Sequence, residues 1–242
     1  MLNKPYFRII RPSGSGGSGY ELDNRYASDR ISLCRAYSLI LNDLKKVFEY
    51  IEPTDENIHA YSHRNYELLL RASTEFEANC KGILFSNGYK KASDLNIKDY
   101  YKIEKSSRLS EYKIKIDVWR PERKIITPFL NWKNDHSLGW YQAYNKVKHD
   151  RQENFKYASL ANVIEAIAGL LVIIYSQFHF NVFYSYNAGT MYHSDDDGYI
   201  FIDESIFCIK EPDSWTEDEE YDFSWNQIKN TSEPFYQFNF GS

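Results

Sequence analysis

"SLANVIEAIAGLLVIIYSQF", Ser159 to Phe178, decides the fold. The stretch is apolar on nearly every side, which suits a helix running through the centre of a core rather than along its surface. Its longest apolar run, Ala166 to Tyr175, falls short of the roughly 20 residues that span a bilayer. A central helix needs partners, and the chain offers them upstream. From about Ala27 to Tyr50, the residues Ile31, Cys34, Leu39, Leu41, Leu44, Val47 and Phe48 recur at mostly three- and four-residue steps, and Pro53 stops the run. A second long helix is predicted from about Asn57 to Phe85, with Tyr66, Leu69, Leu70, Phe76, Cys80, Ile83 and Leu84 on its stripe and Gly88 as a left-handed cap. The two read as an antiparallel pair.

Between this pair and the central helix lie three further elements. "SDLNIKDYYKIEK" predicts a short helix capped by Ser93 or Asp94. "YKIKIDVWRPERKIITPF" alternates apolar and polar residues around Arg120-Pro121, the pattern of a β-hairpin inserted near residues 112–128. A helix from about Leu138 to Asp150 then leads into the central one. After it, "SDDDGYIFIDESIFCIK" carries a turn at Asp197-Gly198 followed by strand residues. The expected fold class is mainly α: an N-terminal segment with a Gly/Ser-rich loop (1–24), a helical domain with the inserted hairpin (25–185), and a small β-rich, acidic and aromatic C-terminal appendage (186–242).

Composition narrows the function classes. The 242 residues carry a net charge of −5, which argues against a general DNA-coating protein but not against a local phosphate site. The charge is uneven: Lys90 to Lys133 is basic, whereas Asp195 to Asp222 is acidic with Lys210 its single cation. The 21 Tyr, 15 Phe and 5 Trp fit half-buried surfaces, a dimer interface or a stacking platform, and select none of them. Cys34, Cys80 and Cys208 are far apart, with no metal-binding spacing and no disulfide framework; Cys34 and Cys80 read as core residues. The stretch "PSGSGGSG" is followed by Tyr20 rather than the Lys-Ser/Thr of a phosphate-cradling loop. His193 with Asp195, Asp196 and Asp197 lacks the alternation of a calcium loop, so neither a metal nor another cofactor is expected. The N-terminus, "MLNKPYFRII", lacks the apolar region of a signal peptide, and the expected setting is cytoplasmic with no membrane partner.

The chemistry concentrates in "WYQAYNKVKHDRQENF", Trp140 to Phe155. On a helix Asn145 and His149 share a face, with Lys146 and Lys148 beside them and Arg151 at the helix end. Cutting RNA without a metal means taking a proton from the ribose 2′-OH and giving one to the leaving 5′-oxygen. Histidine suits both roles because its unperturbed pKa, near 6.5, leaves both protonation states accessible at neutral pH. A neighbouring cation or amide holds the scissile phosphate.

"Asn145-Lys-Val-Lys-His149" resembles the second half of the signature of the HEPN superfamily, all-helical domains found in many RNases of toxin–antitoxin, antiphage and CRISPR systems. The order of helices is similar over roughly residues 25 to 180. The resemblance implies a metal-independent endoribonuclease of the toxin or antiphage-defence kind that leaves 2′,3′-cyclic phosphate ends. His149 would be its acid/base residue, Asn145 would position the phosphate, and Lys146, Lys148 and Arg151 would bind RNA. It also implies a homodimer joined through the motif helix, with a protein partner or antitoxin as a further possibility. The family's leading Arg falls at Tyr144 here. Arg151 or Arg71 is the expected substitute for its charge, and Tyr141 and Tyr144 are expected to stack on unpaired bases.

Two rivals stand beside this reading. A non-catalytic module would hold RNA or a nucleotide in the same groove, and the Tyr at 144 favours it. An interaction protein would dimerise through its helices and recruit a partner through "FYQFNF", if that tail is exposed. Smaller expectations follow from spacing. Arg71 and Glu75 are set for a helix-surface pair, and Glu75 or Glu77 could orient His149. Ser214 and Glu217 have capping-box spacing in a short solvated helix, or else the acidic stretch mimics RNA over the basic groove.

Overall fold

The computed structural model describes residues 1–13, 19–134, 136–179, 194–202 and 205–241. In chain order its helices are α1 (Arg30–Phe48), α2 (His63–Ser86), α3 (Ile97–Tyr101), α4 (Glu104–Ser107), α5 (Gly139–His149), α6 (Arg151–Asn154), α7 (Leu160–Phe178) and α8 (Trp225–Ile228). Its strands are β1 (Lys113–Ile116), β2 (Lys124–Ile126), β3 (Ile200–Phe201) and β4 (Phe207–Lys210).

The central helix is α7. Its apolar residues from Leu160 to Phe178 are buried except Ala161, which is half-buried, and it packs against α2 above all, then α1 and α5. By length and composition this 19-residue helix is apolar enough to cross a membrane, which the apolar run alone understates. Here 83% of its most apolar window is buried inside the protein, so its partners are other parts of this chain. Ser159 caps it, accepting a hydrogen bond from the Asn162 amide at 3.4 Å.

The long helices α1 and α2 form as expected, with corrections at their ends and faces. On α1 the buried residues are Leu33, Cys34, Tyr37, Ile40, Leu41, Leu44 and Val47; Ile31 and Leu39 from the expected stripe are exposed. The true face follows the 3.6-residue period more strictly than the looser stripe did. Helix α2 starts at His63 because Ser62 caps it, accepting from the Asn65 amide at 3.1 Å, and Asp55–Asn57 form a separate short turn. Gly88 takes the expected positive φ, 78°. The short helix α3 is capped not by Ser93 or Asp94 but by Asn96, whose reciprocal partner is Asp99.

The hairpin β1–β2 is present, and it does not stand alone. One antiparallel sheet runs in the order β2-β1-β4-β3, so strands of the hairpin and of the C-terminal segment share a ladder. Ile114 stands opposite both Ile126 and Ile209, and Ile116 opposite Phe207. Ile114, Ile116, Phe207 and Ile209 are fully buried and form the sheet's apolar face.

The two ends of the chain are stitched together. Leu2 bridges Tyr221 and Tyr6 bridges Tyr236 as parallel pairs, and the buried Tyr221 hydroxyl donates to the Ile9 carbonyl at 2.9 Å. The aromatic tail packs on this junction: Phe7 meets Phe235 at 4.8 Å and Tyr6 meets Phe238 at 5.3 Å. In "FYQFNF" Phe235 and Phe240 are buried and Phe238 is half-buried, whereas Tyr236 is exposed.

The acidic stretch is also corrected. Its capping box runs from Thr216 to Glu219, not from Ser214 to Glu217. Glu219 pairs with Arg108 at 2.7 Å, and Trp215 lies between the guanidiniums of Arg11 and Arg108. The stretch thus meets the basic segment at Arg108, and among the described residues no hydrogen bond or ion pair joins it to Asn145–Arg151. His193 lies outside the described residues, among which no cluster of His, Cys, Asp and Glu could hold a metal ion.

Candidate functional site

Helix α5 is fixed by its apolar side. Trp140 is fully buried and donates from its indole to the Pro128 carbonyl at 3.1 Å. It can approach α7 this closely because Gly169 stands opposite; a Cβ there would lie 3.1 Å from the indole. Phe76 and Phe129 pack on the same indole at 5.2 and 6.1 Å. With Trp140, Tyr141, Ala143, Tyr144 and Val147 buried, helical geometry leaves Lys146, Lys148 and His149 exposed and Asn145 half-buried.

This anchoring corrects the roles expected of the two tyrosines. Tyr144 is 2% exposed, and Tyr141 is buried with its hydroxyl donating to Glu77 at 2.8 Å. Burial raises the Tyr141 pKa, and the carboxylate beside it adds to that. Neither ring presents a face to a base in this arrangement. Tyr144 does something else: its hydroxyl accepts from the Lys148 ammonium at 2.9 Å, one helical turn on. That bond raises the Lys148 pKa, with burial acting in the opposite sense. The Lys148 ammonium is thereby held beside Tyr144.

The other expected partners lie elsewhere. Arg71 pairs with Asp43 of α1 at 2.6 Å rather than with Glu75, whose pKa is raised by burial. Glu77 is engaged by Tyr141, so neither Arg71 nor Glu77 is directed at His149. Of the basic segment, Lys91, Arg108, Lys115, Arg123 and Lys124 are held by Asp99, Glu219, Asp195, Asp117 and Asp55. Lys115 is 5% exposed on the polar side of β1, with its ammonium 4.6 Å from the Tyr199 ring. Lys115 is thus the buried member of these pairs, whereas Arg123 stays 63% exposed beside Asp117.

Near α5 the cations are placed differently. Asp150 ends the helix and caps α6, accepting from the Glu153 amide at 3.3 Å. Arg151 is exposed, its guanidinium 5.6 Å from the Tyr66 ring, and the Lys146 ammonium lies 4.1 Å from the Tyr157 ring. Among the described residues, neither the Asn145 nor the His149 side chain is engaged in a hydrogen bond or ion pair. Both are free to meet a ligand. No thiol competes for the chemistry: burial pushes Cys34 and Cys208 up to about 12 and Cys80 well above its ordinary value.

One group beside the site was not legible in the motif. Phe155, just past α6, meets Tyr61, His63 and Tyr66 from the start of α2. The only sequence signal was the aromatic pair Phe155 and Tyr157 following the cations; the partners are remote in the chain. In comparisons with known proteins, no family model, no characterised protein and no solved structure matches this chain.

Proposed function

We propose that the chain is a metal-independent endoribonuclease of the HEPN kind, acting at the exposed face of α5. The observation that supports this most is an unengaged Asn145–His149 pair, ringed by Lys146, Lys148 and Arg151, on a chain whose net charge is −5. His149 takes the proton from the ribose 2′-oxygen as that oxygen attacks phosphorus. The P–O5′ bond breaks, a proton goes to the departing 5′-oxygen, and a 2′,3′-cyclic phosphate remains. One imidazole cannot serve as base and acid in the same step, so a second copy supplies the other across a homodimer formed through α5. Asn145 holds a non-bridging oxygen. Lys148, kept in place by Tyr144, carries the charge that the family's Arg provides.

RNA incubated in EDTA tests this. Cleavage by the wild-type protein is expected, falling at least about a hundredfold in His149→Ala, on the scale of general acid–base catalysis. A folded dimer that binds RNA without cutting it would instead establish the second reading, a binding module for RNA or a nucleotide. The buried Tyr144 in place of an Arg favours that alternative.

A further inference from the structure

The connection from α5 to α7 doubles back onto the start of α2. An antiparallel bridge between Tyr61 and Ser159 joins the two segments just before α2 and α7 begin. Phe155 is the hub of what meets there. Its ring stands edge-on to Tyr61 at 5.6 Å and lies 4.8 Å from His63 and 6.3 Å from Tyr66. Tyr61 is 53% exposed, His63 is exposed, and Phe155 and Tyr66 are half-buried. The rings therefore open to solvent rather than closing into the core.

Cations flank them. Arg151 sits over Tyr66, and Lys146 and Lys156 sit 4.1 and 5.7 Å from the Tyr157 ring. The nearby carboxylates do not cancel this charge in full. Asp150 is turned into the first turn of α6, and Glu67 is paired with Arg64 at 3.1 Å, which leaves Glu153 exposed on α6.

We infer that Tyr61, His63 and Phe155 form a stacking platform for the unpaired bases of single-stranded RNA, with Lys146, Arg151 and Lys156 holding its phosphates. Bases stack on aromatic faces whatever their sequence, and adjoining cations track the backbone. An apolar protein partner would leave those cations without counter-charges, and a duplex keeps its base faces covered. The platform deepens the reading of the α5 site, on which it rests, by naming a single-stranded substrate. It adds a direction as well. Beyond Ser62 lies a groove of about 580 Å³ lined by Lys46, Glu49, Tyr50, Ile51 and Arg64, which gives the strand somewhere to run.

Fluorescence anisotropy with a 2′-O-methyl RNA strand tests the platform, because that strand lacks the attacking hydroxyl and stays intact. An abasic strand of the same length and a duplex serve as comparisons. Tyr61 and His63 lie outside the core, so the double variant Tyr61→Ala, His63→Ala keeps the fold. It is expected to bind the single strand about tenfold more weakly and the abasic strand unchanged. Arg151→Ala is expected to weaken both. A 5-iodouridine strand, irradiated with the unaltered protein, is expected to crosslink at Tyr61 or Phe155. Equal affinity of the double variant for the single strand, or crosslinks confined to other surfaces, overturns the platform while leaving His149-dependent cleavage standing. Platform binding without cleavage sustains this inference and removes the nuclease. Failure of the wild-type protein to bind any strand at low salt removes both.

Discussion

Tyr144 shows how the burial of a single residue can hang on distant parts of the chain. Its place on the motif helix α5 was legible, but its burial was not, because that depends on Trp140 settling beside Gly169 on a helix farther along the chain. Once inside, the ring turns its hydroxyl to Lys148. Tyr144→Phe keeps the ring and removes that acceptor, so the Lys148 pKa should drop toward its ordinary value, as NMR titration of the lysine side chain would record. The sign for stability follows from the raised folded pKa. The bond's contribution is fully present below the ordinary lysine range, near 10.4, and is lost as pH climbs through the folded value. The ammonium is largely exposed and screened, so the variant should lose no more than about 1 kcal/mol at neutral pH. An unchanged titration in Tyr144→Phe would show that the Tyr144 hydroxyl does not act on Lys148.

Among the elements, those whose reasons are local were legible. The period of α1, the Gly88 cap, the β1–β2 alternation and the all-round apolarity of α7 each sit within a few turns of sequence. What was missed depends on partners far away. The β4 strand pairs with β1 across more than ninety residues, with Lys115 opposite Cys208. Phe155 reaches Tyr61 and His63 only because α2 and α7 start side by side. The site itself divides the same way: Asn145 and His149 share a face by helical spacing alone, whereas the fate of Arg71 and of the basic segment was decided by acids elsewhere in the chain. The α5–α7 contact is the element-level support of the whole site. Trp140→Ala removes a fully buried ring and an indole hydrogen bond, and should cost about 3–5 kcal/mol. Denaturant unfolding should show this as a lower midpoint, with the α5 site lost alongside the global transition. A small loss confined to the site would mean that α5 is a detachable arm.

For the whole molecule, the C-terminal segment is structural rather than a removable cover. Beyond Lys210 it supplies Tyr221, Phe223 and Phe235 to the core and bridges Leu2 and Tyr6 of the N-terminus. Truncation after Lys210 is therefore expected to yield unfolded or aggregated chain, seen as loss of the cooperative thermal transition, rather than a folded protein with higher RNA affinity. A folded, tighter-binding truncation would restore the idea of an internal RNA mimic. Above these structural points stands the claim that α5 presents a ribonuclease face, and the most direct measurement of it is the chemistry of the cut ends. Single-stranded RNA and the same strand with one 2′-deoxy nucleotide at the preferred cleavage site are incubated with the protein in EDTA, and the products are resolved by mass. The expected result is a 2′,3′-cyclic phosphate and a 5′-hydroxyl end from the RNA, no cut at the deoxy position, and neither product from His149→Ala. Ends bearing a 3′-hydroxyl and a 5′-phosphate, cleavage that ignores the missing 2′-OH, or full activity in His149→Ala would contradict it.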